Sequence, residues 1–215
     1  MESSKQTKEF LKSKKGSPLG KDSPPGVARK HKLQNTWTLW RVDHDPKKSW
    51  EDILYEVGSF NTVEDFWIQY YSTDPPSKHK IGCDYMLFKK GIRPMWEDLP
   101  NKHGGRWTYV VHKEAKSELD SIWLDVLLCL IGEACDHCEQ ICGALVRIRK
   151  SISKVSVWTK NCEDYEANME IGQKLCELVS LSSKKIITFT SHRQLERQLK
   201  KTPPIFELEA KPLRK

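Results

Sequence analysis

With 215 residues and 38% hydrophobic side chains, the chain can bury one good-sized core and has polar sequence left over at its ends, so one domain with tails is expected. A formal charge of +7, from 36 basic and 29 acidic side chains, favours anionic partners but excludes a histone-like excess. No apolar run is long enough to span a bilayer, no apolar segment follows the first lysines, and the seven cysteines lack the density of a disulfide scaffold. The expectation is a soluble protein with reduced thiols, cytoplasmic or also nuclear, with no membrane partner.

Residues 1–32 form a tail of lysine, serine, proline and glycine with almost nothing to bury, expected to be disordered. The folded domain is expected over 33–191, and 192–215 reads as a charged tail in which Pro203-Pro204 break any helix. Residues 36–42 (TWTLWRV) alternate like a strand, and a loop follows that sets Trp50 among Lys47, Lys48, Ser49, Glu51 and Asp52, poor company for a core indole. Thr62 with Asp65 three residues on is a capping arrangement for a helix carrying Val63, Phe66, Trp67 and Tyr70, which Pro75-Pro76 ends.

Strands are expected at 84–88 and 107–111, joined by a loop that holds Met95-Trp96-Glu97-Asp98. A tryptophan followed by carboxylates suits a flat cationic ring with N–H groups on one edge; a core indole beside a solvated acidic loop is the alternative. Residues 117–133 (SELDSIWLDVLLCLIGE) spell the strongest helix, with a serine cap and early acids. Leu119, Ile122, Trp123, Val126, Leu127 and Leu130 make its core stripe. Leu124, Leu128 and Ile131 make a second stripe, either covered within the domain or left as a groove for a partner's helix.

Cys135, His137, Cys138 and Cys142 hold a Cys-x-x-Cys pair, but no second pair stands at zinc-finger spacing, so no metal site is expected and the segment reads as a surface turn. Strands at 144–149 and 154–158 form a hairpin. If Arg149 sits across from Lys154, then Arg147, Arg149, Lys154 and Trp158 share a face, either as a solvated basic surface or with an anion between the charges. A helix at 164–179 and a strand at 185–189 complete an α+β pattern of antiparallel strands with helices on one face.

The stretches Trp37-x-x-Trp40, Asn61 to Trp67 (NTVEDFW), Gly82 to Tyr85 (GCDY), Gly91 to Asp98 (GIRPMWED), Gly104 to Trp107 (GGRW), Trp123 to Glu133 and Cys142-Gly-Ala144 resemble the eukaryotic translation initiation factor 4E family, in one order and register from about His31 to His192. The resemblance implies a curved eight-stranded antiparallel sheet backed by three long helices on its convex face. It implies a slot on the concave face in which Trp50 and Trp96 sandwich the cationic 7-methylguanine of the mRNA cap. Glu97 would accept from the N1–H and the exocyclic amine, Trp158 would lie by the methyl group, and Arg106, Arg149 and Lys154 would hold the triphosphate. On the convex face, His31, Val63, Trp67, Leu124, Asp125, Leu128, Ile131 and Gly132 match the surface that binds the large scaffold factor 4G and the repressors that compete with it. No catalytic residue, metal or other cofactor is implied, and a monomer within the initiation complex is expected.

The chain departs from the family pattern in several places. Ser151, beside Lys150, stands where a phosphate-binding lysine is usual; Lys32 follows His31 where proline is usual; Asp125 replaces a glutamate; and Lys201, beside Thr202, falls at a regulatory serine. The leading reading is cap binding that recruits the scaffold to start translation. A cap-binding repressor or specialised paralogue with weakened scaffold binding is the alternative. An enzyme acting on caps would need paired metal-binding carboxylates or an activated nucleophile, and the sequence offers neither near Trp50 and Trp96.

Overall fold

A computed structural model describes residues 29–179, 184–196 and 203–210. Most of the expected tail over 1–32, together with Lys201 and Thr202, therefore lies outside the described residues. The strands are β1 (Lys32–Asp43), β2 (Leu54–Thr62), β3 (Cys83–Lys89), β4 (Gly105–His112), β5 (Ile141–Arg147), β6 (Ile152–Thr159), β7 (Lys185–Ser191) and β8 (Phe206–Ala210). The helices are α1 (Val63–Tyr71), α2 (Leu99–Lys102), α3 (Glu118–Ile131), α4 (Tyr165–Leu178) and α5 (His192–Glu196). All eight strands form one antiparallel sheet in the order β2-β1-β3-β5-β6-β4-β7-β8.

Alternation along the strands divides the core in two. Trp37, Leu39, Tyr85, Leu87, Tyr109, Val146 and Val155 face the helices and meet the stripe of α3, which is buried at Leu119, Ile122, Trp123, Val126, Leu127 and Leu130. Polar anchors fix α4 to the same face: the Trp107 indole N–H donates to Asn168 O (2.8 Å) and the Tyr109 hydroxyl to Leu175 O (2.8 Å). Both side chains are fully buried, so each bond offsets a desolvation cost that would otherwise oppose packing. The opposite face carries a smaller cluster of Val42, Met86, Phe88, Leu145 and Trp158, on which Trp40 and Trp50 pack. Apolar side chains on both faces explain why the β3 and β5 sequences read as nearly continuous buried runs.

Thr62 caps α1 as expected, accepting from the Asp65 N–H at 3.2 Å while its hydroxyl donates to the Asp65 carboxylate at 2.7 Å. Ser117 does not cap α3: it is already in helical conformation and its side chain makes no cap bond. Two strands escape a reading of the residues alone. The β2 stretch (LYEVGSFNT) is an edge strand with Tyr55 and Val57 exposed and Gly58 in its middle, so it shows no clean alternation.

The charged tail expected over 192–215 is a correction of more substance. Its first residue, His192, is buried, and β8 pairs with β7 from Lys185↔Ala210 to Phe189↔Phe206. The sequence Phe-Glu-Leu-Glu-Ala hides this strand because its two glutamates face outward while Ala210 is fully buried.

Gly143 sits at a register irregularity in β5, and a Cβ there would lie 2.4 Å from Leu87 O and 2.5 Å from a Phe88 ring carbon. Gly143→Ala should lower the unfolding free energy in urea by about 1–3 kcal/mol, the usual cost of overpacking a tight core.

Candidate functional site

The two informative tryptophans are positioned by short polar loops. Trp50 precedes a 3-10 turn, Glu51–Ile53, and is fixed by a reciprocal arrangement on either side of it. The Ser49 hydroxyl donates to the Asp52 carboxylate (2.6 Å), and the Asp52 N–H donates back to the Ser49 hydroxyl (3.2 Å). Ile53, fully inside the smaller core cluster, anchors the turn to the sheet. Polar residues around Trp50 therefore build its support; they do not merely surround it.

Trp96 lies in the loop between β3 and α2, which turns at Gly91, where φ is +88°. The Asp98 carboxylate accepts from the Arg93 N–H at 3.0 Å and so closes the loop on itself. Asn101, fully buried, donates from its side-chain amide to Arg93 O (2.8 Å) and Met95 O (2.7 Å). These bonds hold both flanks of the Trp96 segment and leave Trp96 40% exposed, with Glu97 exposed beside it. Sequence reasoning missed Asn101, whose only signal is an asparagine just after the Leu99-Pro100 helix start. An exposed ion pair at 3.7 Å between Arg93 and Glu51 spans the two loops.

Both indoles face a single cavity of about 280 Å³, with Glu97 on its rim and Met86, Leu145, Arg106 and Trp158 from the sheet. Five of the seven residues expected in the slot, Trp50, Trp96, Glu97, Arg106 and Trp158, thus line one space. Arg149 and Lys154 are not among the lining residues; Arg147 and Asp84 are. The reason lies in the hairpin register. Arg147, not Arg149, pairs across from Lys154, and β5 ends at Arg147. A shift of two residues leaves the parity intact, so the basic side chains still share a face, but Arg149 is carried beyond the end of its strand.

The floor of the cavity is strongly cationic. Arg147 and Arg149 both contact the Asp84 carboxylate, which is 1% exposed. The Arg106 guanidinium has a buried Nε with no hydrogen-bond partner among the described residues, and burial, followed by the charge of Arg147, depresses it to about 10. Lys154 is lowered too, by desolvation and then by Arg106 and Arg147. Trp158 is 5% exposed and packs edge-on against Phe88 with ring centroids 5.4 Å apart. An apolar slot with indoles at its mouth, a carboxylate unpaired among the described residues on one rim and guanidinium groups on its floor suits a flat cationic ring joined to an anionic chain.

The helix face gathers the second expected set. Val63 is 36% exposed and Leu128 38%, while Trp67 and Leu124 are half-buried. Ile131 is 7% exposed and belongs to the core cluster, so the outward part of the second stripe is Leu124 and Leu128. His31 reaches α1: its N–H donates to Glu64 Oε2 (2.9 Å), its ring Nδ1 lies 2.6 Å from Glu64 Oε1, and Val63 N–H donates to His31 O (2.9 Å). The His31 side chain holds the Glu64 carboxyl below its usual range. Tyr71, which sequence reasoning did not single out, stacks on Trp67 at 5.5 Å and is 77% exposed. Gly132 is exposed at the end of α3, and Asp125 is half-buried on the same helix.

The Cys-x-x-Cys segment is not the surface turn expected of it. Cys135, Cys138 and Cys142 are buried, and the Cys135 N–H donates to Cys138 Sγ at 3.1 Å. The thiols turn inward as small apolar groups; the contact with Cys129 pushes Cys135 well above the ordinary thiol range against a lowering by Cys138, and the bond to Cys135, with burial, pushes Cys138 up likewise.

Known proteins share the sequence and the fold. The family model "Eukaryotic initiation factor 4E" matches residues 32–204. Eukaryotic translation initiation factor 4E1 of Drosophila melanogaster is 52% identical over 164 residues, which is 76% of this chain and 63% of that protein. Human eukaryotic translation initiation factor 4E is 46% identical over 165 residues, 76% of each chain. Among solved structures, Ascaris suum eIF4E-3 in complex with an m2,2,7G cap superposes with a TM-score of 0.78 at 40% identity, covering 84% of this chain and 99% of that one. Caenorhabditis elegans eIF4E-3 in complex with the 4E-binding protein Mextli and a cap analog gives 0.77 at 39% identity, covering 84% and 100%. A family match over most of the described residues, relatives above 45% identity and a shared eight-stranded fold leave one assignment: the chain belongs to the eukaryotic initiation factor 4E family.

Proposed function

We propose that this chain binds the 7-methylguanosine cap at the 5′ end of mRNA and recruits the initiation scaffold protein, factor 4G, to start cap-dependent translation. The observation that carries the reading is the convergence of Trp50, Trp96, Glu97, Arg106 and Trp158 on one cavity from separate strands and loops. Methylation makes the guanine cationic, so stacking between indoles gains a cation–π contribution that unmethylated guanine lacks. Glu97 reads the base edge, and the basic groups Arg106 and Lys154 balance the phosphates, with Arg149, held on Asp84 outside the cavity lining, adding its charge from behind. The chain works as a binding module and not as a hydrolase: Asp84, the buried carboxylate beside the slot, is committed to two guanidinium groups. That work belongs in the cytoplasm, where mRNA is translated. Retention of the chain on a 7-methyl-GTP resin, with elution by 7-methyl-GTP and not by GTP, is the test; equal elution by both would overturn cap selectivity.

The second face supports recruitment through His31, Val63, Trp67, Leu124, Asp125, Leu128 and Gly132, whereas Ile131 belongs to the core. Trp67→Ala should abolish binding of a scaffold-derived helical peptide in a calorimetric titration while leaving affinity for 7-methyl-GTP unchanged. Equal loss of both would mean that Trp67 serves the core alone. Asp125 has one methylene fewer than the usual glutamate and reaches a partner arginine less easily, which favours a repressor or specialised paralogue as the second reading. Titrating scaffold-derived and repressor-derived peptides side by side separates the two.

A further inference from the structure

The basic row beneath the cavity assigns its two arginines different tasks. Asp84 lies directly across from Arg147 between β3 and β5, and Arg147 lies directly across from Lys154 between β5 and β6. Arg149 commits both terminal nitrogens: Nη1 donates to Asp84 Oδ1 (2.6 Å) and to Ile148 O (2.9 Å), and Nη2 to Asp84 Oδ2 (3.3 Å). Arg147 touches the same carboxylate through Nε alone, at 3.2 Å, so among the described residues its two Nη groups carry no bond. Arg147 lines the cavity and Arg149 does not.

One carboxylate cannot neutralise this row. With Asp84 shared by two guanidinium groups and Arg106 carrying an unpartnered buried Nε, the floor keeps an excess of positive charge. Like charges so placed oppose one another, which adds to burial in lowering Arg106 and Lys154, and an anion entering among them removes that opposition. The family's usual lysine near the phosphates is Ser151 here, so the turn keeps only the neighbouring Lys150 while Arg147 supplies a cation on the floor.

We propose that Arg147 is the guanidinium that grips the cap's phosphate chain from the cavity floor, with Arg149 acting as a positioning residue whose hold on Asp84 leaves the Arg147 Nη groups free. The inference rests on the cap-binding reading and specifies which side chain meets the phosphates. Because Arg147 shares the cavity with Met86, Leu145 and Trp158, its grip falls on the phosphates nearest the base, whereas a lysine at position 151 would sit on the turn beyond the strand ends.

The test is a phosphate ladder measured on the full chain by fluorescence titration with 7-methylguanosine, 7-methyl-GMP and 7-methyl-GTP. Arg147→Gln keeps Asp84 paired with Arg149, so no buried carboxylate is stranded. It should weaken 7-methyl-GTP roughly tenfold, the scale of one charge-assisted bond. Most of that loss should already be present with the monophosphate, the nucleoside should be unaffected, and Arg147→Lys should recover part of the affinity. Unchanged 7-methyl-GTP affinity in Arg147→Gln would overturn the inference, as would an equal loss for the nucleoside. A wild-type chain that binds none of the three ligands would overturn the cap reading itself, and this inference with it.

Discussion

Replacing Glu97 with alanine should weaken binding of 7-methyl-GTP by about 2–3 kcal/mol, on the order of a hundredfold, without lowering the thermal stability of the free protein. The two halves of that expectation come from one observation. Glu97 is exposed on the cavity rim, and among the described residues its carboxylate makes no hydrogen bond or ion pair. Removing a side chain with no intramolecular partner costs the fold little, within about 0.5 kcal/mol for an ordinary surface position. On the proposed cap-binding reading, the same deletion removes two charge-assisted bonds in the bound state and leaves the N–H groups of a partly desolvated base edge unsatisfied, which is the expensive side of hydrogen-bond energetics. The measurement is paired: a binding titration and a melting curve on the same preparation. Wild-type retention of the variant on a cap-analogue resin would remove Glu97 from the site, and a large fall in melting temperature would mean that its role is structural.

How much of this was legible beforehand depends on what the residues had to report. The capping signal at Thr62, the amphipathic stripe of α3 and the alternation of β1 and β6 are local properties, and the structure carries them as read. The edge strands β2 and β8 are stabilised by a single neighbour each: β2 carries weak alternation, and β8 alternates over only five residues, two of them exposed glutamates. The slot is a different matter, because Trp50 and Trp96 come from unrelated loops and no periodicity links them. Resemblance to a family supplied that pairing, and the cavity supports it. What neither source could supply is the internal bracing. Asn101 is a lone polar residue in the sequence, and only the folded chain shows its amide spanning Arg93 and Met95. Alternation placed Arg147 in the basic row, while the distinction between a free and an occupied guanidinium depends on which one Asp84 holds more fully.

The same bracing makes the fold sensitive to acid at one identifiable residue. His192 is 2% exposed, and its Nδ1 lies 2.7 Å from Asn101 O. A carbonyl oxygen can only accept, so Nδ1 carries the proton and Nε2, buried without a partner among the described residues, does not. Burial, opposed by the Asn101 bond and joined by the charge of Arg106, lowers the histidine from its usual 6.5 to about 4. Above pH 6.5 both folded and unfolded chains hold it neutral, and its neutral packing contributes in full. As the pH falls from 6.5 towards 4 the unfolded chain takes up a proton that the folded chain refuses, so stability is lost across that window. A displacement of this size corresponds to a loss of about 3 kcal/mol. Urea unfolding at pH 7 and pH 4 should reveal it as the difference between wild type and His192→Gln, because the carboxylates that also titrate in this range are common to both chains. The ring of His192 stands 4.3 Å from that of Trp158, and Asn101, its hydrogen-bond acceptor, braces the Trp96 loop. Cap affinity of the folded wild type should therefore hold until the pH nears 4, where the folded chain takes up the proton, and fall below it more steeply than that of the variant. Parallel stability curves for the two chains would show that His192 is not the group responsible.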